Sequence, residues 1–512
     1  MTRMLTRRLL IAACLMGMAL SASANAPGFA PAPRAKPSIT APTGSDLISR
    51  ANLPGTVAFA VIDLATGQML EAFQPDLPLP PASVAKIPTA LYALEALGPD
   101  HRFETRLVAV GPIEDGVLKG DLILQGGGDP EVDTAALDLL AYRAVSGGLR
   151  KVEGQFLVDD SLIPAIDRID HTQPEIASYN PSISGLNLNF NRVYAEWKPR
   201  GGQVNMNVQA RSDTLSPPTD AVTIEVVDQT PNGRIFHFQG DFPKELWKVR
   251  RNALRKAGSR WLPVRQPALY SGSVFQRLAR DAGLNLSNAV PGQAPLVADI
   301  AARIESRRLA DILTDMLRYS TNLTAEVTGM GATRTVVGSA SSLLASGQAM
   351  SAWAGTFAGF APGDPGFVLT NHSGLSGDAR TSARRLVELL AAADRRGFPS
   401  LSGGRGATLK ALLPRKRYDD EDARAPEVEA TMRAKTGTLN FVSALAGYID
   451  TDAGKRLGFA IITADLPRRN AITDTTIERP SGSRAWANRS RRLQRALVRS
   501  WINRFGTLPN QP

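Results

Sequence analysis

Apolar positions along this chain follow two rhythms. Val57-Ala58-Phe59-Ala60-Val61-Ile62 and Met69-Leu70-Glu71-Ala72-Phe73 flank Asp63-Leu64-Ala65-Thr66-Gly67, which predicts a β-hairpin. Towards the other end, residues 442–449 and 457–462 are joined across Thr451-Asp452-Ala453-Gly454. Both runs are apolar at almost every position, as in central strands covered on both faces. Between hairpin and tail the rhythm changes twice. Leu91, Leu94 and Leu97 recur at helical spacing until Gly98-Pro99, with Ser83 at the start of that helix. Pro88 falls within its first two turns, where a proline removes only an early backbone hydrogen bond. From 101 to 266 the runs are short and β-rich, such as 118–125 and 221–227, and are broken by Gly, Pro and Asn clusters; helical texture returns over 266–284. This patterning predicts an α+β fold, a mostly antiparallel sheet flanked by helices. Residues 46–100 and 267–510 form the main domain, and 101–266 form an inserted β-rich block with a nested subdomain at 204–256.

The amino terminus belongs to neither part. Arg3, Arg7 and Arg8 precede an apolar run at 9–20 and the small residues SASANAP, which reads as a secretory signal over 1–24, cleaved after Ala22-Ser23-Ala24 and too short for a stable membrane anchor. Ile11-Ala12-Ala13-Cys14 resembles a lipobox, but the apolar stretch before Cys14 is short, so ordinary cleavage and export to the periplasm is the favoured expectation. Residues 25–45 are rich in Pro and Ala and predict an extended linker, with folding from about Asp46. Cys14 is the single cysteine of the 512 residues, so the exported chain forms no internal disulfide. The net charge of +11 falls to +8 once the three leader arginines are gone, a modest excess for this length. Eight arginines nevertheless crowd Arg479 to Arg504. Their spacing fits the solvated face of a terminal helix whose apolar side is Leu493, Ala496, Leu497, Trp501 and Ile502, in preference to a patch for an anionic surface. No nucleic-acid module is recognisable, and no nucleic-acid partner is expected.

The chain has no G-x-G-x-x-G, Walker loop or H-E-x-x-H, and His101, His171, His237 and His372 lack metal-ligand spacing, so no cofactor or metal is expected. No serine lies in G-x-S-x-G, so a nucleophile here needs a base other than histidine. Ser83 and Lys86 offer one, because residues three apart on a helix share a face. Lys86 must then be neutral part of the time, which burial and a second nearby cation both favour. The helix amino terminus adds positive potential and N–H groups for a developing oxyanion. Lys435-Thr436-Gly437-Thr438 runs into a strand and supplies that cation; Lys435, Thr436 and Thr438 can hold a carboxylate, and the glycine would let a substrate backbone approach. Ser320 and Asn322, after a helix at 309–318, add a hydroxyl and an amide.

In chain order these are S-x-x-K, S-x-N and K-T-G, the set of penicillin-binding proteins and β-lactamases. The chain resembles the serine D-alanyl-D-alanine carboxypeptidase/endopeptidase family, low-molecular-mass penicillin-binding proteins with a large insert after S-x-x-K. The 237 residues from Ser83 to Ser320 exceed the spacing in β-lactamases, and LQGGGDP at 124–130, VDDS at 158–161, SGLNLNFN at 184–191 and SGLS at 373–376 agree. The resemblance implies that Ser83 is acylated, Lys86 takes its proton, and Ser320 relays a proton to the leaving amine. It implies too that Asn322 holds the substrate amide, Lys435 and Thr436 contact the terminal carboxylate, and the N–H groups of Ser83 and Thr438 form the oxyanion hole. The implied partners are peptidoglycan stem peptides, with β-lactams as inhibitors; the alternatives are a β-lactamase on the same motifs or a non-catalytic wall-binding protein. Oligomeric state is left open. In one departure, Asn371-His372 stands where the family usually has Asp-Gly before S-G-L-S, and a local structural role is expected for His372.

Overall fold

The computed structural model describes residues 41–507 apart from 242–243, 402, 419–428 and 475. The expected leader, Cys14 and most of the expected linker lie outside the described residues. The described fold opens on a helix at Gly44–Ala51, two residues ahead of Asp46. Thr43 caps it and accepts from the Asp46 N–H while the Asp46 carboxylate accepts from the Thr43 backbone.

An antiparallel six-stranded sheet organises the molecule, in the spatial order Arg415–Lys416, Ala430–Leu439, Val442–Thr451, Arg456–Ala464, Thr56–Asp63, Met69–Phe73. The two apolar tail runs are therefore its middle, and the amino-terminal hairpin completes it. Alternation decides what each face meets. Val57, Phe59 and Val61 turn towards the terminal helix Ser483–Phe505, where they pack with Leu493, Leu497, Trp501 and Ile502. Ala58, Ala60 and Ile62 turn the other way, into a core shared with the helices Lys86–Leu97, Leu309–Tyr319 and Ala383–Asp394. On that second face Ala444, Ala446, Ala460 and Ala464 keep the surface low, so the helices can lie close to the sheet. The fold is α+β, as the pattern predicts.

The inserted region has its own core, and its extent differs from the expectation. A second sheet runs Val290–Pro291, Phe156–Asp159, Asp121–Gly126, Glu104–Val110, Asp299–Glu305. The helix Pro267–Asp281 packs into the same core through Val274, Phe275 and Leu278. Residues 267–305 thus belong with the inserted core rather than with the main sheet. Local texture placed the return at 266 because it registers the change from strand to helix, not the pairing of Asp299–Glu305 with Glu104–Val110 far back in the chain. The region expected at 204–256 divides likewise. Gln203–Gln209 pairs with Arg192–Arg200, which also pairs with Gly258–Pro263, while Val222–Val227, Phe236–Asp241 and Lys244–Arg250 form a separate sheet.

Candidate active site

Ser83 lies in a 3-10 turn, Ala82–Ala85, that feeds the α-helix Lys86–Leu97. In a 3-10 turn side chains at i and i+3 eclipse, which brings Ser83 and Lys86 together more directly than an α-turn would. Lys86 Nζ donates to Ser83 Oγ at 3.1 Å. Ala82, just before the serine, has φ 47, a left-handed conformation that costs roughly 1–2 kcal/mol and persists only where the surroundings impose it. Two elements crowd this turn: a Cβ on Gly437, in the strand Ala430–Leu439, would lie 2.7 Å from Pro81 O and 3.0 Å from Ser83 N, and one on Gly374 would meet Ala82 O. The chain's own serine turn therefore fills the space on the Cβ side of Gly437.

Lys86 is fully buried, and its remaining protons go to Asn322 Oδ1 at 2.7 Å and Ser373 O at 2.8 Å. Burial pushes its pKa well below the ordinary lysine range, and the charge of Lys435 pushes the same way; the carboxylate of Glu326 opposes both. Asn322 begins the helix Asn322–Val337, and Glu326 sits one turn later on the same face. Glu326 is also fully buried, which raises its pKa, and it accepts from the N–H groups of His372 and Ser373 at 2.9 Å each. It thereby fixes the backbone whose carbonyl, at Ser373, holds Lys86.

Ser320 caps the preceding helix, Leu309–Tyr319, in a left-handed conformation with φ 62. It accepts a hydrogen bond from Lys435 Nζ at 2.9 Å; Lys435 donates as well to Thr436 O at 2.8 Å. Burial first, and Lys416 second, lower Lys435 to about 7. Asn322 is held at both ends, since its Nδ2 donates to Tyr179 O at 2.8 Å from the inserted region. Ser83, Ser320, Asn322 and Thr438 line one cleft of about 430 Å³, with Lys86 and Lys435 buried behind them. Thr436 is exposed and is not among the residues lining the cleft.

His372 is buried with its ring bonded to Ser346 Oγ at 2.7 Å and stacked on Tyr92. A Cβ on Gly329 would meet its ring at 2.2 Å, so that helix position has to be glycine. Burial lowers His372 to about 3, which keeps it neutral. Asn371 Oδ1 accepts from Gly374 N–H at 3.1 Å and closes the turn, while its buried Nδ2 has no partner among the described residues. Sequence reasoning missed Glu326, Ser373 and Tyr179. Glu326 was legible as the residue four after Asn322; Ser373 and Tyr179 act through backbone carbonyls, which side-chain identity does not encode.

A family model described as the D-Ala-D-Ala carboxypeptidase 3 (S13) family matches residues 45–479. This chain belongs to the S13 family. The S13 chain is 28% identical over 444 residues to a D-alanyl-D-alanine carboxypeptidase of Actinomadura sp. (strain R39), covering 80% of this chain and 78% of that one. It is 25% identical over 299 residues to the D-alanyl-D-alanine carboxypeptidase DacB of Haemophilus influenzae, covering 55% of this chain and 60% of the relative. The crystal structure of penicillin binding protein 4 from Haemophilus influenzae superposes with a TM-score of 0.68 at 21% identity, over 87% of this chain and 98% of that one. A second structure of that protein, complexed with a β-lactam, gives 0.65 at 20% identity over the same shares. The S13 fold is thus that of a low-molecular-mass penicillin-binding protein.

Proposed function

We propose that this S13 protein is an exported, periplasmic serine DD-peptidase. It would cut the terminal D-Ala-D-Ala bond of peptidoglycan stem peptides, or the D-Ala-diaminopimelate cross-link, through an ester on Ser83. The observation that carries this reading is the placement of buried Lys86, depressed in pKa, 3.1 Å from Ser83 Oγ.

Neutral Lys86 takes the Ser83 proton as Oγ attacks the D-alanyl carbonyl. The N–H groups of Ser83 and Thr438 receive the oxyanion, and Asn322 orients the substrate amide. Collapse breaks the C–N bond, and the proton held by Lys86 reaches the departing amine through Ser320. Lys435, cationic when substrate binds, and Thr436 contact the terminal carboxylate. Water then adds to the ester with Lys86 again as base, releasing the shortened stem and restoring Ser83. A β-lactam follows the first half of this course, but its amine stays tethered by the opened ring, so the ester persists. Partner chemistry supports this reading: the Haemophilus influenzae protein of like fold was solved with a β-lactam. Release of D-alanine from a synthetic stem pentapeptide tests it: wild type releases D-alanine, and Ser83→Ala slows release by roughly 10⁴-fold or more with the fold intact. An active Ser83→Ala enzyme overturns the reading.

A further inference from the structure

One wall of the cleft owes nothing to the three motifs. Past Thr438 it is lined by Leu439 and Asn440, and then by Arg479, Arg484 and Arg491. Arg484, Ala487 and Arg491 follow one another at spacings of three and four on the terminal helix, so they share the face that looks into the cleft, while Leu493, Leu497 and Trp501 hold the sheet. Arg479, Arg484 and Arg491 are exposed, and among the described residues none makes a hydrogen bond or an ion pair. Glu478, the carboxylate lining the cleft, is already held by Arg260 at 2.7 Å. The amino terminus of the 23-residue helix opens here without a side-chain cap and adds its own positive potential. This end of the cleft therefore carries positive charge that the protein leaves unanswered. Arg484 and Arg491 also lie beyond residue 479, where the family match stops.

We propose that Arg479, Arg484 and Arg491 form a carboxylate-binding end of the cleft that selects stem peptides whose acyl-donor arm carries free carboxylates over arms in which these are amidated. The proposal rests on the DD-peptidase reading, which fixes the direction of the substrate. With its terminal carboxylate at Lys435 and its scissile carbonyl between Ser83 and Thr438, the acyl arm runs on past Leu439 and Asn440 to the arginines. That arm is acidic, because γ-linked D-glutamate keeps its α-carboxylate and diaminopimelate keeps one of its own. Guanidinium groups match carboxylates in geometry as well as charge, and replacing a carboxylate by an amide removes the charge while keeping the shape.

The test uses the mature enzyme and three pentapeptides: one with both carboxylates free, one amidated at D-glutamate and one amidated at diaminopimelate. Wild type is expected to favour the free peptide over at least one amidated form by roughly fivefold or more in kcat/KM, carried by KM and shrinking as salt screens the site. Whichever amide is disfavoured identifies the carboxylate held. In the Arg484→Gln/Arg491→Gln double variant the ratio between peptides falls towards one, and in the doubly lysine variant most of it returns. Equal kcat/KM for all three peptides in wild type, or a ratio the glutamine variant leaves unchanged, overturns the proposal. Calorimetric binding of the same peptides to Ser83→Ala separates the two readings. Preferential binding without D-alanine release in wild type would sink the peptidase reading alone, while D-alanine release without preference would sink the arginine site alone.

Discussion

At the scale of single residues, the site turns on which lysine carries a proton. In the proposed mechanism Lys86 acts as base only when neutral, so acylation should rise with pH through its pKa. Glu326 favours the charged form of Lys86 and Lys435 disfavours it. Glu326→Gln should therefore move the acid limb of the acylation profile to lower pH, and Lys435→Met should move it to higher pH. Stopped-flow acylation by a chromogenic β-lactam from about pH 5 to 9 reads both limbs; movement of the two in the same direction would contradict the assignment. Lys435 adds an alkaline limb. Burial lowers Lys435 to about 7, so the cation proposed to face a substrate carboxylate is lost above that pH. kcat/KM for a peptide with a free terminal carboxylate should fall as pH rises past about 7, and a peptide amidated at that terminus should lack this limb. The serine, both lysines and Asn322 were legible because short motifs fix their spacing. The carbonyls of Ser373 and Tyr179 were not, since any residue at those positions would present the same atom.

Among the elements, close approach between one strand and one turn sets the geometry around Ser83, the proposed nucleophile. Gly437→Ala would drive a methyl against Pro81 O and Ser83 N, two groups of backbone that cannot step aside as a flexible side chain would. Acylation by benzylpenicillin is expected to slow at least about tenfold while the melting temperature moves by no more than about 5 °C. Unchanged acylation would mean that the Ala82–Ala85 turn tolerates the methyl, and that the left-handed Ala82 does not depend on this contact. Strands and helices of the main sheet were readable in the sequence because their apolar periods are long and uninterrupted. The limit of the inserted core was not, because Asp299–Glu305 joins its sheet through pairing with a strand nearly two hundred residues earlier. Such pairing leaves no local mark.

At the scale of the whole molecule, the terminal helix performs two tasks that its sequence mixes together. Its apolar face closes the central sheet: Trp501 is fully buried against Phe59 and Phe459, at ring-centroid distances of 5.4 and 5.9 Å, and its indole N–H donates to Glu71. Trp501→Ala should cost about 3–5 kcal/mol, read from denaturant unfolding. A loss below about 1 kcal/mol would show that the helix is dispensable to the sheet. The arginine-rich face is not uniform. Arg504 pairs with Glu71 and Arg489 donates to Asn52 O, whereas Arg484 and Arg491 look into the cleft. Periodicity in the sequence gave the helix and the buried Leu493, Leu497, Trp501 and Ile502, while Ala496 is only half-buried and Arg479 precedes the helix; a reading of its arginines as a solvated face could not register that part of this face borders the cleft, because that depends on where the sheet places the helix.

Whether Ser83 is a nucleophile activated by Lys86 is read from the intact mass of the protein before and after benzylpenicillin, with peptide mapping of any adduct. A stable adduct of one penicillin per chain is expected on the peptide holding Ser83, and none on Ser83→Ala. Penicillin left unconsumed with no adduct, or an adduct mapped to another residue, would contradict it.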